Sequence, residues 1–206
     1  MRIEYRINAL LVGCITLLLL FAGKYSPDEN KSYRRFELCR LDDRYIQQDT
    51  LYIKLISHVE RYIKSKAPNS EISGRAIVDN CLKYDMDLSF ALAQAQLESN
   101  FGTVGIAKKT NSVWNVNSYD NRTAEYINDR NLGYSHPNES IEPYMLLIKN
   151  KYLTESKTTD HLLYNFISNS GHRYASNKQY EYHLRSIYNK ISNNKIGDLW
   201  RSYQRV

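Results

Sequence analysis

Apolar positions recur at helical spacing along most of this chain. Leu51, Leu55, Val59 and Ile63 predict a helix over about Asp49 to Ser65. Ser73 is placed to cap a second helix carrying Ile77, Cys81 and Tyr84, and Asp87 to cap a third. That third helix is the run Phe90-Ala91-Leu92-Ala93-Gln94-Ala95-Gln96-Leu97-Glu98. Ala91, Ala95 and Glu98 share a face that is small and apolar for two turns and then presents a carboxylate. Gly102 is placed to close it in the left-handed conformation. The stretch from Gly102 to Asn138 has no helical period and predicts loops. Helical stripes then resume at Ile141, Tyr144 or Met145, Ile148 and Tyr152, with Pro143 tolerated in the first turn. Leu162, Leu163, Phe166 and Ile167 form another stripe. Asn177 is placed to cap a last one with Tyr180, Leu184, Ile187 and Ile191. The expected fold class is mainly α (α+β), a helical domain with a small irregular or β-hairpin lobe in its middle. No internal repeat interrupts it.

The N-terminus is of another kind. Arg2 and Arg6 precede an apolar stretch, Ala9 to Gly23, which predicts an export signal or a membrane anchor. Its 15 residues fall short of the ~20 of a comfortable span, and Phe21-Ala22-Gly23 is a poor cleavage site. A lipoprotein signal ending at Cys14 is a third reading. All three put the rest of the chain outside the cytoplasmic membrane. The expected organisation is 1-23 signal or anchor, 24-70 tether and first helix, 71-194 main domain, and 195-206 a C-terminal helix or tail. Lys24 to about Arg40 reads as the tether.

Composition changes this picture little. The 206 residues, 42% hydrophobic and 24% charged, suffice for one core. Tyrosine is abundant at 18, against 8 glycines and 4 prolines, which suits tyrosine-lined grooves as well as aromatic packing. The net charge of +6 suits an anionic envelope. Its lysines and arginines are dispersed apart from Arg34-Arg35, which argues against nucleic acid. Cys39 and Cys81 are one potential disulfide, but Cys81 shares an apolar helix face with Ile77 and reads better as a buried thiol. His58, His136, His161, His172 and His183 are scattered, and neither a metal nor another cofactor is expected.

Taken alone, Glu98 in the last turn of a helix reads as a solvated charge. Its setting reads otherwise. Ala93 to Thr103 resembles the "AQAxLESGWGTS" motif of family 73 glycoside hydrolases, the peptidoglycan N-acetylglucosaminidases. Ala107 with Asn111-Ser112-Val113-Trp114-Asn115-Val116 resembles the family's "A…NNLFGIK", with Trp114 and Asn115 in place of Phe-Gly. Tyr134 to Tyr144 resembles "Y.S..EA..DY". Gly171 to Tyr180 resembles "GYATDPxY" with two residues added after the glycine. The four segments stand in family order over about Ser73 to Ser192.

The resemblance implies a lysozyme-like fold and cleavage of the β-1,4 bond after N-acetylglucosamine in peptidoglycan glycan strands. It implies an exported protein in the cell envelope, meeting the cytoplasmic membrane through its N-terminal segment. Glu98 is then the proton donor, since a carboxyl held half in an apolar wall has its neutral form favoured. For the second group, Thr123-Ala124-Glu125-Tyr126 resembles the "TTEY" stretch of the flagellar wall hydrolases. This points to Glu125, on a strand with Thr123 and Ile127, with Asp120 as its rival. Alternatively the substrate's own acetamido group is the nucleophile, supported by Tyr174. Trp114, Asn115, Tyr119, Tyr126 and Tyr180 are the expected sugar-binding residues. A lytic transglycosylase and a wall-binding module without catalysis remain the competing readings. The "GLMQ" segment typical of transglycosylases is absent, and Val113-Trp114-Asn115-Val116 stands in its place.

Overall fold

The computed structural model describes residues 30–116, 133–154 and 157–205, with side chains from Tyr45 onward. The chain divides into two units, Met1–Tyr45 and Ile46–Val206, and the core formed by the described residues belongs to the second. The described residues are mainly helical, with only two isolated β-bridges, Thr154 to Lys157 and Ile167 to Arg173. The predicted export segment lies outside the described residues, as does most of the predicted middle lobe with its strand at Thr123 to Ile127. Among the described residues no helix is long and apolar enough to cross a membrane.

The first helix, α1, spans Asn30–Lys66 and so takes in much of the expected tether. No glycine or proline stands between Pro27 and Pro68 to break it. The apolar stripe that periodicity detects begins at Leu51, which packs against the core. Leu55, Val59 and Ile63 are fully buried. Pro68 restricts the residue before it, and α1 stops at Lys66.

Helix α2, Gly74–Tyr84, begins as expected. The Ser73 hydroxyl accepts from the Ala76 amide at 3.3 Å. Its Ile77, Val78 and Cys81 are buried, and Cys81 is a free thiol whose pKa burial pushes well up. Helix α3, Leu88–Ser99, is capped by Asp87, which accepts from the Phe90 amide at 2.6 Å. Every residue from Leu88 to Ala95 is buried. The helix therefore has no solvent face in its first two turns, and α2, α7 and α8 all pack on it.

Short α4, Ala107–Thr110, leads into the turn at 111–116. A 3₁₀ turn, Pro137–Ser140, leads into α5, Ile141–Lys151, which lies on α2. Helix α6 is a single turn, Thr159–Leu162. The stripe Leu162, Leu163, Phe166 and Ile167 is thus not one helix face. After Leu163 the chain turns out of the helix, and Ile167 pairs with Arg173 in a bridge while Phe166 stays fully buried. Helix α7, Tyr180–Ser192, packs along α3, and α8, Lys195–Arg205, packs on both. Gly197 allows the close join of these last two. A Cβ there would sit 2.0 Å from the Ser192 carbonyl oxygen. Ile196, Leu199 and Trp200 of α8 share the core, so it extends beyond 71-194 at both ends.

Candidate active site

The last turn of α3 is where its burial ends. Gln96, Leu97 and Glu98 are half-buried, and Ser99 is buried again. The helix is closed by Asn100, not by Gly102. Asn100, Phe101 and Gly102 take φ of 45°, 58° and 82°, three left-handed residues in succession. Phe101 accepts this conformation because its ring is fully buried and its carbonyl receives the Ser70 hydroxyl at 2.7 Å. Ser99 ties the turn to the next segment, donating to the Val113 carbonyl at 2.5 Å and accepting from the Gly102 amide at 2.8 Å. A Cβ on Gly102 would lie 3.3 Å from Val113.

These bonds bring the 111–116 turn against Glu98. Asn115 has φ 53°, a conformation that glycine and asparagine adopt more readily than most residues. From there its Nδ2 donates to Glu98 Oε2 at 3.1 Å and to the Glu98 carbonyl at 3.2 Å. The other carboxylate oxygen, Oε1, accepts a short hydrogen bond from the Tyr180 hydroxyl. Tyr180, at the start of α7, also accepts from Gln94 Nε2 at 3.3 Å. Gln94 Oε1 in turn accepts from the Tyr144 hydroxyl at 2.7 Å. Tyr144, Gln94 and Tyr180 thus form a buried line of donors, each pointing toward Glu98. Burial first, then neighbouring charge including that of Glu98, pushes the phenols of Tyr144 and Tyr180 well above 10. They remain neutral donors at any pH below about 10.

Tyr174 completes the wall. Its ring is stacked on Phe166 at 4.3 Å and lies 5.5 Å from Tyr180. Its hydroxyl donates to the Trp114 carbonyl at 3.4 Å. Burial and then the Glu98 charge raise its pKa well above 10.

Two expectations are revised. Trp114 is fully buried, its indole stacked on Tyr144 at 4.5 Å and its Nε1 donating to the Ala91 carbonyl at 3.1 Å. It fills the core under the site and presents no face to a sugar. Tyr180 is 8% exposed and its hydroxyl is committed to Glu98, so it holds the carboxylate instead of lying open to substrate. Glu98, Asn115 and Tyr174 are brought together. Glu125, Asp120, Tyr119 and Tyr126 lie outside the described residues.

Sequence reasoning missed Gln94, Tyr144's hydroxyl, Arg173 and Glu181. Gln94 did carry a signal: an amide in a largely apolar run, four residues before Glu98 and on its face. No group of three or more metal-ligating side chains occurs among the described residues. A recess of about 280 Å³ beside the Asn100–Gly102 turn is lined by Ser70, Phe101, Gly102, Thr103, Lys108 and Asn111. A larger hollow of about 610 Å³, between α2 and α5, includes Asp79, Lys83 and Glu142 but none of the groups around Glu98. It is open and ringed by exposed charges, so the site is assigned by its chemistry and not by cavity size.

No curated protein matches the chain. The sequence profile of one family, described as mannosyl-glycoprotein endo-beta-N-acetylglucosaminidase, matches residues 74–193. That span opens with α2, holds Glu98 and every partner named above, and ends one residue after α7. It covers more than half of the sequence, and the chain therefore belongs to this glucosaminidase family and is a glycoside hydrolase acting on glycan.

Proposed function

We infer that the enzyme cleaves the β-1,4 bond after N-acetylglucosamine in peptidoglycan strands, with Glu98 as general acid. The observation that carries this reading is the placing of Glu98. It stands at the C-terminal end of the buried helix α3, with a donor on each oxygen from a different part of the fold. Such a carboxylate is held in one orientation, which proton delivery to a glycosidic oxygen requires. Tyr174 stands beside it, with its ring backed by Phe166 and its phenol neutral. It suits support of the substrate's acetamido group, the substrate-assisted route. Glu125 is the second acid on the alternative two-carboxylate route.

A helix buried on all sides that delivers an acid at its C-terminal end also suits a lysozyme-like arrangement. Export through residues 1–23 would bring this basic chain, at +6, to an anionic wall.

The test is mass spectrometry of purified peptidoglycan digested with the full chain. Reducing-end N-acetylglucosamine is the expected product. Anhydro-muramic ends would instead assign a transglycosylase. A folded sample that yields no product would overturn the catalytic reading in favour of a wall-binding role.

A further inference from the structure

The loop between α6 and α7 carries Phe166 and Tyr174; its Ser168 amide donates to the His172 carbonyl at 2.7 Å and its Asn169 amide to the Lys151 carbonyl at 2.7 Å. It is not helical, and the only ladder-type contact within it is the isolated bridge of Ile167 to Arg173. Yet it places the Tyr174 ring against the site. One ion pair joins it to the first turn of α7. Arg173 Nη2 donates to both carboxylate oxygens of Glu181, at 2.8 and 2.7 Å. Glu181 is only 9% exposed and stands next to Tyr180 in the first turn of α7. Its Oε1 also accepts from the Phe166 amide at 3.3 Å.

Phe166 is the hub of the aromatic cluster. Its ring meets Phe90 at 5.7 Å, Tyr152 at 5.1 Å, Tyr174 at 4.3 Å and Tyr180 at 6.1 Å. Its carbonyl accepts the Tyr174 amide at 2.8 Å. Glu181 therefore joins three things: the Arg173 side chain, the backbone of the hub, and the helix turn from which Tyr180 reaches Glu98.

A stability role alone does not account for so desolvated a carboxylate. A pair of this kind stabilises little, because Glu181 loses its water while the Arg173 side chain stays 41% exposed and screened. What it does supply is a defined geometry for the two segments it joins.

We propose that Arg173 and Glu181 are positioning residues for the hydrolysis, a clamp that holds Tyr174 and Tyr180 in register with Glu98. This rests on Glu98 being the acid. Neither clamp residue touches Glu98 or substrate. The clamp acts through the two tyrosines, and its loss lets the Tyr180 bond to Glu98 Oε1 lengthen and the Tyr174 ring drift from its stack.

The test is steady-state kinetics of the full chain on soluble, un-cross-linked glycan strands, for Arg173→Met, Arg173→Lys and Glu98→Gln. Misplacing a reacting group by about 1 Å costs up to ~100-fold in rate. Arg173→Met is expected to lower kcat by roughly 10-fold to 100-fold with KM changed less than about threefold, and Arg173→Lys, which keeps a cation there, to recover most of kcat. The alkaline limb of the kcat profile should move in Arg173→Met and return in Arg173→Lys. Arg201→Met, which removes the exposed pair with Asp198, should alter neither. Should Arg173→Met not fold, the double variant Arg173→Met/Glu181→Leu removes both charges at once and reads the same quantity. Unchanged kcat and pH profile in a folded clamp variant, while Glu98→Gln is inactive, would overturn the clamp alone. An active Glu98→Gln would overturn the reading on which it rests.

Discussion

The first two turns of α3 and its last turn are built on opposite terms. From Leu88 to Ala95 the helix is buried on every side. From Gln96 to Glu98 it is half-open, and each polar side chain of that stretch has a named partner. A helix packed all round cannot shift without disturbing α2, α7 and α8 together. The buried half thus serves as a fixed mount, and the open half presents Glu98, the proposed acid. Gln94 belongs to both. It is fully buried, yet its amide connects Tyr144 to Tyr180 and so to Glu98.

This comparison can be broken by substitutions that should affect one half alone. Glu98→Gln should lower kcat by about 10²–10⁴-fold, the range for a general acid, and leave thermal unfolding nearly unchanged. A variant that stays active would remove Glu98 from the mechanism. Leu92→Ala should do the reverse, costing about 2–5 kcal/mol in denaturant unfolding while folded protein keeps its turnover. Gln94→Leu should cost on both counts. It leaves the Tyr144 and Tyr180 hydroxyls short of a partner, worth about 1–3 kcal/mol, and it frees Tyr180 from one side. If kcat is unaffected, the line of donors has no catalytic role.

Asn115→Gly should be milder in stability, within about 1 kcal/mol, because glycine accepts φ 53° without strain. It removes the donor to Glu98 Oε2, so kcat should fall several-fold, whereas Asn115→Ala should also destabilise through the backbone.

The smallest effect is alkaline. Tyr62 donates to Gln96 in the open turn at 2.5 Å, and burial pushes its pKa up to about 12. Unfolded, it ionises near 10. The folded form thus holds the proton longer, so its contribution is complete below pH 10 and is lost as pH rises through about 12. Tyr188, also held near 12 by burial, adds to the same window. Tyr62→Phe should flatten this loss in urea unfolding between pH 9 and 11. An unaltered slope would place the titration elsewhere.

Ion pairs repeat the lesson on a smaller scale. Lys83–Glu142 is exposed on both sides and closes at 2.7 Å, as does the half-buried Arg173–Glu181. Equal length does not make them equal. Water screens the first, and the second is braced by the Phe166 amide.

Much of this was legible in the residues themselves. Ser73 and Asp87 are capping residues whose side chains have few better uses than an open helix end, and both cap as expected. Apolar period placed the buried faces of α2, α5 and α7. Period did not extend α1 back to Asn30, because Lys24 to about Arg40 is polar and mixed in charge and reads as a tether. Nor could it separate Phe166 from the α6 stripe, since adjacent apolar residues look alike whether the chain continues as a helix or turns inward.

The sequence by itself determined the helical class, the Ser73 and Asp87 caps, the family segments and the choice of Glu98 as the candidate acid, because these depend on neighbours a few residues apart. Only the tertiary structure decided that Trp114 is core, that Tyr180 holds Glu98, and that Arg173 meets Glu181. Those outcomes depend on which side chains lose their water together, and residues 82 positions apart, such as Glu98 and Tyr180, meet only once the whole core has closed.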